Sequence, residues 1–300
     1  MDASVTTASS FSTFISAPDG LRLHARCYGA RSAEYSVVCL PGLARTAADF
    51  EALAGALAAP GMMRRVIALD YRGRGLSDYD RDPTNYNFHT EMGDVLAVLT
   101  ALDALPAVFV GTSRGGILTM MLAAARPTAI AGAVLNDIGP VLEPKGLMRI
   151  KGYVGKLPEP RSFEDGAEVL RRLFDAQFPT ITHEGWLESA HRTFKQANGR
   201  FVTTYDPALA KTMEGVDFEK PMPPLWKEFE ALRHVPVMTI HGANSDLLSQ
   251  ATITAMAARH TDFETLDIPD QGHTPLLAEA DTIGRIAAFV RRCEARGRAG

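Results

Sequence analysis

The sequence predicts an α/β protein. Its sheet is mostly parallel, it opens with an antiparallel hairpin, and a helical segment is inserted late in the chain. Three observations predict this. Short apolar, β-prone runs alternate with helix-prone runs from residue 35 onward, the pattern of a sheet with helical crossovers. These strands are apolar throughout rather than at every second residue, as in sheets covered on both faces. The alternation fails over residues 141–230 and then resumes.

In order, residues 1–10 read as a Ser/Thr-rich tail. Residues 11–17 and 21–28 read as strands around the turn Pro18-Asp19-Gly20, a hairpin. Residues 35–40 form an apolar strand ending at Pro41-Gly42, and residues 46–57 an amphipathic helix. A strand at 66–69 precedes the glycine-rich "DYRGRGLSDYD", and 88–102 carries apolar residues at helical spacing. Strand 107–110, helix 117–125 and strand 130–135 follow. After the interruption come strand 235–240, helix 250–259, strand 263–268 and helix 281–292. The interruption itself holds eight prolines and short helical pieces, with no clear strand. The expected organisation is a core of residues 11–140 and 231–295 and a helical cap, 141–230, over one edge of the sheet.

Composition narrows the function. The chain has 300 residues and a formal net charge of −4, with no basic run. Nucleic acid is therefore not an expected partner. The first residues lack a basic and then apolar leader, and no apolar run approaches the ~20 residues that span a bilayer. The three cysteines, Cys27, Cys39 and Cys293, are odd in number and unpatterned. The expectation is a cytoplasmic protein without disulfides and without membrane partners, acting as a monomer or homodimer.

The most informative stretch is "AVFVGTSRGGILTMMLAAA", residues 107–125, where Ser113 sits between a strand and a helix. It lacks the spacing of a dinucleotide loop, and it lacks the Gly-Lys-Ser/Thr of a nucleoside triphosphate loop. A serine there could simply cap the helix. The flanking Gly111 and Gly115 are then unexplained, whereas a tight turn that exposes a nucleophile needs small neighbours. A serine hydroxyl is a weak nucleophile and requires a base, which in turn requires an orienting acid. His273, in "PDQGHTPLL" after strand 263–268, is the candidate base. Two carboxylates compete for the acid. Asp246, in "HGANSDLLS" after strand 235–240, is preferred. Asp137, in "LNDIGP", is the alternative, and is read rather as capping a turn or pairing with Arg114. The oxyanion would be held by the backbone N–H groups of Leu43 and Arg114.

On "PGLARTAADF", "LDYRGRGLSD", "VGTSRGG", "LNDIGP", "HGANSDLLS" and "DQGHTPLL" the chain resembles the α/β-hydrolase superfamily, over essentially everything from about residue 15. It is most similar there to bacterial serine esterases and lipases with a helical cap. The resemblance implies the α/β-hydrolase fold. It implies Ser113 as nucleophile, His273 as base, Asp246 as acid, and Leu43 and Arg114 as oxyanion donors. One departure is Pro41-Gly42 where many members have His-Gly. No metal or cofactor is implied. The function expected is cleavage of small to medium acyl esters or polyester-like substrates. A lactonase, a C–C bond hydrolase or a cofactor-free perhydrolase could use the same residues, and a small-molecule receptor could use the same fold. Leu147, Met148, Phe174, Phe178 and Trp186 are the candidate pocket residues, with Phe163, Phe194, Phe201 and Trp226 also available in the insertion.

Overall fold

The structure, a computed structural model, describes residues 9–31, 35–62 and 64–297. The first eight residues of the expected tail lie outside these. The sheet has eight strands in the order β1-β2-β4-β3-β5-β6-β9-β10. They are β1 (Ser10–Ser16), β2 (Arg22–Tyr28), β3 (Tyr35–Leu40), β4 (Arg64–Asp70), β5 (Ala107–Thr112), β6 (Ile130–Asn136), β9 (Val237–Gly242) and β10 (Phe263–Ile268). The hairpin β1-β2 is antiparallel, as is the pairing of β2 with β4. From β4 to β10 all neighbours are parallel.

The apolar strands are explained by two buried layers. Val38 and Leu40 join one cluster with Leu69, Phe109 and Leu135. The intervening Val37 and Cys39 join another with Val66, Val110 and Ile240. Helices α2 (Phe88–Ala101) and α3 (Arg114–Ala125) cover the first face, and α1 (Glu51–Leu57) and α9 (Ala280–Gly297) the second. Successive strand side chains point to opposite faces, so a strand covered on both must be apolar at every position. The cysteines belong to this packing. Cys27, Cys39 and Cys293 are buried free thiols, and burial pushes Cys27 up to about 11 and Cys293 up to about 12. Among the described residues no helix is long and apolar enough to cross a membrane.

Between β6 and β9 the chain leaves the sheet. It forms α4 (Pro144–Tyr153), α5 (Phe163–Phe174) and α6 (His183–Thr193), then β7 (Phe194–Ala197) and β8 (Arg200–Thr203). A 3₁₀ turn and α7 (Trp226–Glu230) follow before β9, with α8 (Gln250–Arg259) after it. This excursion has a small apolar centre of its own, including Leu170, Phe178, Trp186 and Phe194. The strand-free reading of residues 141–230 is corrected by β7 and β8, which pair antiparallel with Ala197 opposite Arg200. Their loop is Asn198-Gly199, with φ of 50° and 74°. A two-residue hairpin loop of type I′ takes positive φ at both central positions, and Asn-Gly is its strongest sequence signal. The helix expected over residues 46–57 begins as a 3₁₀ turn, Ala47–Phe50, and the strand expected from 235 starts only at Val237, after Pro236.

Candidate active site

The site forms where β5, β6 and β10 end. β5 terminates at Thr112 and α3 begins at Arg114, so Ser113 alone makes the turn. Its backbone has φ 50° and ψ −112°, a conformation L-residues rarely adopt. The flanking glycines make that turn possible. A Cβ on Gly111 would lie 2.5 Å from the carbonyl oxygen of Gly115. One on Gly115 would run into the carbonyl of Leu40. One on Gly116 would strike Ile138. Strand and helix therefore approach too closely for any side chain, and the serine is pushed outward between them.

Ser113 Oγ lies 2.8 Å from His273 Nε2. His273 Nδ1 lies 2.8 Å from Asp137 Oδ2. With Nδ1–H donating to the carboxylate, Nε2 is left as an acceptor for the serine hydroxyl. Asp137 is fully buried, and its other bonds fix it: Gly242 N–H donates to Oδ1 at 2.9 Å and Ser245 Oγ–H to Oδ2 at 2.6 Å. Asn136 braces the histidine loop by donating to the carbonyl of Pro275 at 3.1 Å.

The preference for Asp246 as partner of the imidazole is corrected here, as is the pairing of Asp137 with Arg114. Asp137 follows β6, the strand beside β5, and carries the imidazole bond. Asp246 accepts two hydrogen bonds from Arg149 of α4, at 2.7 and 2.8 Å. Burial pushes its carboxyl up, but the Arg149 guanidinium, helped by Gln177 and His273, holds it below its usual range. The carbonyl of Asp246 also accepts the N–H of Gly146 at 3.0 Å. Asp246 thus fastens the inserted segment to the core. Arg114 pairs instead with Glu91 of α2, at 2.6 Å.

The backbone N–H groups of Leu43 and Arg114 donate to no acceptor among the described residues. Leu43 sits in a tight turn closed by Arg45 N–H to the carbonyl of Gly42, 3.3 Å. Both Leu43 and Ser113 border a cavity of about 130 Å³. Its walls include three of the expected pocket residues, Phe174, Phe178 and Trp186, together with Tyr153, Leu157 and Leu170. Leu147 and Met148 are elsewhere. Leu147 packs against the core, and Met148 is 45% exposed on the outward side of α4. Phe163 stacks edge-on to Phe201, and Trp226 to Phe229, so these rings hold structure together rather than line the cavity.

Residues 37–285 match the profile of the alpha/beta hydrolase family. The chain belongs to that family. Within it, this alpha/beta hydrolase is 32% identical over 265 residues to the 3-hydroxybutyrate-oligomer hydrolase of Cupriavidus necator, a match covering 84% of this chain and 87% of that one. A solved alpha/beta hydrolase from Novosphingobium aromaticivorans DSM 12444 superposes with a TM-score of 0.88 at 38% identity, covering 95% of this chain and 99% of that chain. An M. tuberculosis esterase shares the fold, with a TM-score of 0.69 at 21% identity, covering 95% of this chain and 91% of that one.

For this alpha/beta hydrolase the closeness of Gly115 to Leu40 gives a sharp expectation. Gly115→Ala should lower stability by about 1–3 kcal/mol, because the clash is with backbone and cannot be relieved by a side-chain rotation. Urea unfolding measures it. A midpoint equal to that of the parent protein would show that the turn has slack.

Proposed function

We propose that the protein hydrolyses carboxylic esters through an acyl-enzyme. The observation that carries the reading is the continuous line Ser113 Oγ–His273 Nε2–Nδ1–Asp137 Oδ2, with both contacts at 2.8 Å, opening on an apolar cavity. Ser113 Oγ attacks the ester carbonyl while His273 takes its proton. The oxyanion is met by the N–H groups of Leu43 and Arg114, the latter at the positive end of α3. His273 then protonates the leaving alkoxide. In the second half His273 deprotonates water, which attacks the acyl-serine and releases the acid and Ser113. Asp137 keeps the imidazole in the tautomer that can accept at Nε2 and stabilises the imidazolium.

The enclosed volume favours small to medium acyl groups, and the similarity to a 3-hydroxybutyrate-oligomer hydrolase supports short polyester-like substrates. A p-nitrophenyl ester series of increasing chain length, run beside hydroxybutyrate oligomers and simple lactones, tests this. The reading predicts a burst of p-nitrophenol, steady turnover, and best rates on short acyl groups or oligomers. Binding without turnover would make the protein a receptor, and turnover confined to lactones would narrow the reaction to ring opening. The base must be neutral to accept a proton, so kcat/KM is expected to fall as the pH drops and to persist into mild alkali. A rate that rises on acidification would contradict a histidine base. EDTA is expected to leave the rate unchanged.

A further inference from the structure

Beneath the serine turn lies a line of buried charges that the proposed mechanism does not use. Arg114, whose N–H is one oxyanion donor, sends its Nε–H to Glu91 Oε2 at 2.6 Å. Glu91, on α2, is completely buried. Its other oxygen lies 2.8 Å from Nη1 of Arg74, also completely buried. Arg74 in turn donates from Nε to the carbonyl of Leu43 at 2.9 Å, and Leu43 carries the other oxyanion donor. The line therefore begins and ends on the two residues whose N–H groups face the attacked carbonyl. Aromatic rings wall it in: Phe88 lies 4.0 Å from the Arg114 guanidinium, and Tyr71 and Tyr86 each 5.5 Å from that of Arg74.

Such a cluster is expensive to bury, and apolar side chains of similar volume commonly give equal or greater stability. We infer that Arg74 and Glu91 are positioning residues for the oxyanion: they tie the Leu43 turn to the start of α3, so that the N–H groups of Leu43 and Arg114, on separate elements, converge with a fixed spacing. This rests on the ester-hydrolase reading above. Burial pushes the Glu91 carboxyl up, but the charges of Arg114 and Arg74 bring it below its usual range, so the carboxylate stays ionised.

Glu91→Gln keeps the shape and removes the charge, and Arg74→Lys keeps the charge and loses the planar Nε–H donor. Each is compared with the parent for kcat, KM, melting temperature and inhibition by a trifluoromethyl ketone, which forms a hemiketal oxyanion on the serine. Positioning predicts kcat lower by about 10- to 100-fold and ketone affinity lower by the same factor, with KM nearly unchanged. A lower melting temperature with kcat and ketone affinity intact would overturn the inference. If a variant does not fold, the parent protein decides. The ¹⁵N resonances of the Arg74 and Arg114 Nε–H groups should both shift when the ketone binds, and unshifted resonances would overturn it. Ser113→Ala is run alongside. Activity surviving in that protein would remove the ester-hydrolase reading itself rather than this inference.

Discussion

Ser113→Ala is expected to lower kcat/KM for a short p-nitrophenyl ester by about 10⁴- to 10⁶-fold, leaving a residual rate from the oxyanion donors and binding alone. The effect is large because nothing adjacent can replace the hydroxyl. Thr112, the residue before it, ends β5 with its Oγ1 accepting from Asn136 at 3.1 Å. Stability should hold or rise slightly, since alanine removes a half-buried hydroxyl without touching the turn. A folded Ser113→Ala protein with parental activity would refute the nucleophile, whatever becomes of the other assignments. A fluorophosphonate should label the parent at Ser113 and leave the alanine variant unlabelled.

The second large effect separates the two carboxylates. Asp137→Asn should reduce kcat by about 10⁴-fold, because an amide can offer the imidazole its N–H side and select the wrong tautomer. The buried bonds to Gly242 N–H and Ser245 Oγ hold the side chain in place, so the loss should fall on kcat rather than on folding. Asp246→Asn should instead loosen the inserted segment by weakening its bond to Arg149, lowering the melting temperature and raising KM while kcat changes by less than about 10-fold. The opposite ranking of the two kcat values would return the acid role to Asp246.

These two residues also show where the sequence was legible. Strand and helix periods, the Gly-x-Ser-x-Gly-Gly turn and the His273 loop are local signals, and each is matched by an element of the structure. The choice of acid is not local. Asp137 and Asp246 both lie just past the end of a strand, and only strand order and the position of Arg149, 97 residues before Asp246, separate them. Glu91 was hidden for the same reason. As a carboxylate between Thr90 and Met92 it carries no local sign of burial, which follows from Arg74 arriving from the loop after β4 and Arg114 from the start of α3. Cavity residues were half legible. The aromatic side chains of the insertion were visible, but whether a helix turns Met148 outward or Tyr153 inward depends on docking against the core. The hairpin β7-β8 was readable all along in Asn198-Gly199, and was masked by the helical, proline-rich residues around it.

The most direct test of the acyl-enzyme mechanism is mass spectrometry of the protein quenched during turnover of p-nitrophenyl acetate, followed by peptide mapping. The acyl-enzyme mechanism predicts one acetyl group, carried on Ser113 in the peptide spanning the serine turn, accumulating in the burst and disappearing with the steady-state rate. It further predicts that Asp137→Asn slows both its formation and its loss. Turnover with no covalent adduct on Ser113, or an adduct on another residue, would contradict it.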